Sequence, residues 1–79
     1  MKTYYYDVLF KGSGKIVMRR IIEDLMEDKV TTVKILGRKE LVHTHYIIEV
    51  TTERPSGEVV DLIYSRGAKD IYMKDKMEV

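Results

Sequence analysis

The sequence predicts an α+β fold, a four-stranded antiparallel sheet with two helices on one face. Three observations carry this. Strand-type alternation and helix-type spacing follow one another in the order β-α-β-β-α-β. Each helical stretch presents a single apolar stripe, so each has one side to bury. A chain of 79 residues, 44% of them hydrophobic, can build one thin two-layer core and no second one, so residues 1–79 form a single domain.

The elements follow in order. Thr3 to Lys11 is rich in aromatic and β-branched types and alternates, with Tyr4, Tyr6, Val8 and Phe10 on one face and Tyr5, Asp7 and Leu9 on the other. From Ser13 to Lys29 the residues Val17, Met18, Ile21, Ile22, Leu25 and Met26 recur at helical spacing, with Ser13 as the N-cap. Val30 to Leu36 and Leu41 to Thr52 alternate again and read as a hairpin closed by a basic turn, Gly37-Arg38-Lys39-Glu40. In the second of these strands Val42, Tyr46, Ile48 and Val50 face the core, and Leu41, His43, His45, Ile47 and Glu49 face away. Pro55 opens a second helix through Val59, Val60 and Ile63, Gly67 closes it, and Ala68 to Met73 returns as the last strand, with Asp75 to Val79 a continuation or a tail. If both crossovers are right-handed, the first and third strands lie side by side at the centre and the helices cover one face, which is the ferredoxin-like arrangement. The other sheet face is left open.

Composition narrows the chemistry. Without cysteine there are no disulfides, thiolate nucleophiles or cysteine zinc sites. Fourteen basic against thirteen acidic side chains leave a net charge of +1, which supplies no general attraction to nucleic acid or anionic membrane. No apolar run is long enough to cross a bilayer and the first residues carry no signal segment, so the expected location is cytoplasmic. The absence of Asn, Gln and Trp beside abundant Lys, Arg and Glu leans toward the composition of thermophile proteins. A core this thin leaves no enclosed active site, so any chemistry sits on a surface or at an interface.

The turn between the first strand and first helix is one candidate site. Gly12 and Gly14 permit positive backbone angles, and the following helix end offers free N–H groups. It is not a P-loop: Leu9 stands where the first glycine belongs and Ile16 where the magnesium-binding hydroxyl belongs. Lys11, Lys15 and Arg19 nonetheless gather positive charge there, while Glu23, Asp24, Glu27 and Asp28 load the far end of the helix with acid, an order that opposes the helix dipole. Gly12, Ser13, Gly14, Lys15 and Arg19 are therefore the expected binding set for a small anion. The plain alternative is structural punctuation, with Arg19–Glu23 and Arg20–Asp24 as solvated pairs.

The open sheet face is the second candidate. Alternation assigns to it Tyr5, Leu9, Leu36, Leu41, Ile47 and Tyr72, an apolar set typical of an interaction surface, together with His43 and His45. Tyr5, Leu9, Leu41, His43, His45, Ile47 and Tyr72 are the expected interface, with a homodimer or a protein partner as occupant. His43, His45 and Glu49 have side chains that suit a divalent transition metal, but two strand histidines and one carboxylate are too few to call for one, and no metal or other cofactor is expected. The same topology serves the RNA-recognition motif, and Tyr5 is placed for base stacking; His43, His45 and Ile47 replace the aromatics of the third strand, and nucleic-acid binding is the alternative.

Enzymatic readings are weaker. The first loop loosely resembles that of acylphosphatases, whose mechanism needs an asparagine that this chain lacks. No spacing ties Ser13, Ser56 or Ser65 to either histidine. The strand, glycine turn, long helix, hairpin and closing run from Gly57 through Gly67-Ala68-Lys69-Asp70-Ile71 together resemble the small regulatory domains of the ACT and NIL type. The aspartate, arginine, proline and glycine of the ACT first turn are absent. The resemblance implies a non-catalytic module that pairs through its sheet and holds a small ligand near the first turn or at a subunit interface.

Overall fold

Nine consecutive residues with extended preference and alternating burial make β1, Lys2–Phe10, and its alternation decides which side the helices cover. The computed structural model describes residues 1–74; the sequence reading of Asp75–Val79 lies outside the described residues. After β1 come α1 (Lys15–Leu25), β2 (Thr32–Glu40), β3 (Thr44–Thr52), α2 (Ser56–Ser65) and β4 (Asp70–Lys74). The strands form one antiparallel sheet in the order β2-β3-β1-β4, the expected ferredoxin-like β-α-β-β-α-β topology.

The core lies between the sheet and the helices. Tyr6, Val8 and Phe10 of β1 and Tyr46, Ile48 and Val50 of β3 meet Met18, Ile21 and Leu25 of α1 and Val59 and Ile63 of α2. Phe10 and Tyr46 pack edge to face with ring centroids 5.8 Å apart. The Tyr6 hydroxyl, buried with its ring, reaches Ser56 at 2.9 Å, which links the central strand to the start of α2.

Four local expectations are corrected. Ser13 is not the helix cap: Gly14 takes that position in the left-handed region, φ 68°, and no side chain caps α1. A Cβ on Gly14 would lie 2.6 Å from the Phe10 ring, so only glycine lets the turn fold this closely over β1. Secondly, α1 stops at Leu25; a 3-10 turn over Met26–Asp28 follows, and Lys29 at φ 67° reverses the chain. Thirdly, Gly37-Arg38-Lys39-Glu40 is not the hairpin turn. It belongs to β2, where the register slips between Ile35 and Gly37 in a bulge at Leu36, and the chain turns at 41–43 instead. Fourthly, Asp24 pairs with Arg66 of the loop after α2 at 2.5 Å, not with Arg20.

One polar network braces the end of the sheet near the start of β2. Asp28 accepts hydrogen bonds from the backbone N–H groups of Val30 and Thr31 and from the Thr31 hydroxyl. Because the Thr31 proton is committed to Asp28, buried Thr52 donates to Thr31 at 2.8 Å and in turn accepts from the Arg54 N–H. Arg54 Nε donates back to Asp28. The Thr31 hydrogen bonds, first from its backbone and then from its hydroxyl, hold the Asp28 carboxyl down at about 2.

Candidate functional site

Strand register places the open face in rows. Lys39, His45, Leu9 and Asp70 cross the sheet in one row; Gly37, Ile47, Asp7 and Tyr72 in the next; Lys34, Glu49, Tyr5 and Lys74 in the third. These side chains point away from both helices because their alternates, Tyr6, Val8, Tyr46 and Ile48, are the ones in the core. Of the expected interface residues, the structure brings Tyr5, Leu9, His45, Ile47 and Tyr72 together. It removes Leu41 and His43, which stand in the hairpin turn at one end of the sheet. Val42 leaves the core for the same reason and is 93% exposed.

A polar pair sits at the centre of this face. His45 Nδ1 lies 3.1 and 3.2 Å from the two carboxylate oxygens of Asp7, diagonally across β1 and β3. Both side chains are largely shielded by their neighbours, 23% and 15% exposed respectively. Leu9, flanked by His45 and Asp70 in its row, is buried on a face that no helix covers. Glu49, opposite Tyr5, raises the Tyr5 phenol by hydrogen bonding and by its charge. At the β4 edge the Asp70 carboxylate accepts from the Tyr64 and Tyr72 hydroxyls and from the Ile71 N–H, which lowers the carboxyl and raises both phenols. The face thus sets a few apolar side chains around an ordered polar centre, with lysines along its edges.

Metal chemistry finds little here. His43 and His45 are separated by the end of β3, His45 is held by Asp7, and among the described residues no three His, Cys, Asp or Glu side chains converge as a metal-holding group.

The glycine turn is divided by the fold. Gly12 and Ser13, with Lys11, face the hairpin end at Glu40–Thr44 across a shallow depression of about 290 Å³. Lys15 and Arg19 point elsewhere, into a groove between α1 and β2. The five residues expected to hold one anion therefore do not surround one space. Sequence reasoning also missed the residue that fixes this turn. Arg38 stacks over the Tyr46 ring at 5.5 Å, donates from Nε to the Tyr46 hydroxyl at 3.0 Å and reaches the Ser13 carbonyl at 3.4 Å. Tyr46 donates to the same carbonyl at 3.3 Å, and Glu40 holds Arg38 from the other side. The place of Arg38 beside Tyr46 depends on the bulge at Leu36: an unbroken alternation from Ile35 would have set Gly37 there instead. Asp28 was legible, since Asp28-Lys29-Val30-Thr31 has the spacing of an Asx-type turn.

No helix among the described residues is long and apolar enough to cross a membrane. Neither a protein-family model nor a curated protein sequence matches the chain.

Proposed function

We propose that this chain works by binding and not by catalysis, as a small regulatory or adaptor module that pairs with a second copy through its open sheet face. The observation that carries the reading is the character of that face: Tyr5, Leu9, Ile47 and Tyr72 surround the shielded Asp7–His45 pair on the side of the sheet opposite both helices. A surface of mixed apolar and ordered polar groups of this kind fits a complementary partner. The face also complements itself. Its middle row runs from bare Gly37 at one edge to Tyr72 at the other, and its first row from Lys39 to Asp70. A two-fold axis along the strands would lay Tyr72 of one copy over Gly37 of the other and Lys39 opposite Asp70. The third row would set Lys34 against Lys74, with Glu49 beside Lys34 to offset the like charges.

The non-catalytic part is supported by the engagement of the polar groups. Ser56 is bonded to Tyr6 and Met73, Ser65 to the Leu62 carbonyl, and His45 to Asp7, so none of these forms a nucleophile and base pair.

Sedimentation equilibrium tests the pairing. Wild type is expected to sediment as a dimer and Ile47→Lys as a folded monomer, because the lysine would bury a charge at the centre of the contact. A wild type that stays monomeric at high protein concentration overturns it. A gel shift with single-stranded RNA at low salt, expected to show no complex, separates pairing from base stacking on Tyr5.

A further inference from the structure

The helix side of the sheet carries a second surface, independent of the pairing face. α1 does not cover the edge strand β2, and Ile35 remains 48% exposed although it points to the helix side, opposite buried Ile48. Between α1 and β2 runs a groove of about 360 Å³ floored by Met18, Ile22, Ile35 and Tyr46. Lys15 and Arg19, one helical turn apart, stand along one end of its wall and Glu23 a further turn on. Arg38, the neighbouring cation, is engaged by Glu40, Tyr46 and Ser13. Lys15 and Arg19 make no side-chain hydrogen bond or ion pair among the described residues.

We propose that this groove binds a small amphipathic monoanion, an alkyl or aryl carboxylate, with its carboxylate between Lys15 and Arg19 and its apolar body over Met18, Ile22 and Ile35. Charge sets the polarity of the ligand: two uncommitted cations stand at the helix N-terminal end, where the partial positive charge of the backbone adds to theirs, and Glu23 disfavours the reverse orientation. Apolar area sets its body, since the floor is aliphatic and aromatic and gains from being covered. Size sets the class. The volume falls at the low end of small-molecule pockets, about 300–1,000 Å³. An extended peptide added to β2 fits less well, because the bulge at Leu36 breaks the ladder such a strand would have to follow.

Titration of decanoate into the full chain, followed by amide chemical shifts, tests the site. Saturable shifts are expected across Lys15–Glu23 and at Ile35, weakening about tenfold when Lys15→Gln and Arg19→Gln are combined, the size of two exposed ion pairs. Raising salt should weaken decanoate binding in wild type and much less in the double variant. Decanol, which has the same chain without the charge, should bind wild type no better than decanoate binds the double variant. Ile35→Ser, which removes part of the apolar floor and adds no charge, should weaken decanoate binding while its salt dependence persists. Ile47→Lys, on the opposite face, should leave it unchanged, so failure of the dimer and failure of this site read out separately. Absence of saturable shifts below the micelle threshold, shifts confined to the open face, or equal decanoate affinity in a folded double variant would each overturn the assignment.

Discussion

The two faces of β3 are made by alternate residues of one nine-residue strand, yet they are built on different terms. Toward the helices, Thr44, Tyr46, Ile48, Val50 and Thr52 are all buried, and Tyr46, Ile48 and Val50 belong to a continuous packed core. Away from them, His45, Ile47, Glu49 and Thr51 are half-buried, and each of the first three has a charged residue beside it in the neighbouring strand: Lys39, Asp7 and Lys34. The helix side is organised by volume and the open side by pairing of polar groups around a few apolar ones. One face therefore carries the stability of the fold, and the other is free to be altered for recognition.

The sharpest way to break this contrast is to truncate neighbours on opposite faces. Ile48→Ala should cost about 3–5 kcal/mol in urea unfolding, whereas Ile47→Ala in a monomeric background should cost less than about 1 kcal/mol. Equal losses would mean that both faces are core. Gly14→Ala should cost about 2–3 kcal/mol, since the new methyl meets the Phe10 ring and the left-handed backbone disfavours it. Asp7→Ala should cost about 1 kcal/mol of monomer stability through the loss of the His45 contact, and should weaken association more than it weakens folding. The smallest effect is confined to acid. The Asp28 carboxyl is lowered in the folded protein, so its contribution is full above 3.8 and is lost as pH falls toward about 2. Urea midpoints measured down that range should fall more steeply for wild type than for Asp28→Asn.

Much of the fold was legible because the signals were local. Alternation in β1 and β3 placed Tyr6, Val8, Tyr46 and Ile48 in the core, and helical spacing placed Met18, Ile21 and Leu25 against them. The hairpin end was misread for a physical reason. The true turn, Leu41-Val42-His43, contains none of the residues that usually mark one, and its two aliphatic residues imitate strand. Gly37, the residue that does look like a turn, is an in-strand glycine beside a bulge. That single displacement carried Leu41 and His43 onto the sheet face and hid the role of Arg38. The groove between α1 and β2 was invisible for a different reason: it depends on how far a helix leans across an edge strand, which no residue spacing encodes.

The bulge at Leu36 has a further consequence, for what the protein avoids. A flat edge strand of nine residues is a template on which chains can stack into fibrils. β2 breaks that template with its bulge and lines it with Lys34, Arg38 and Lys39, while β4, the opposite edge among the described residues, is short and carries Lys74. Among the described residues, both edges of the sheet are poor templates for added strands. Both edges thus disfavour open-ended stacking of sheets, whatever the two faces of the sheet recognise.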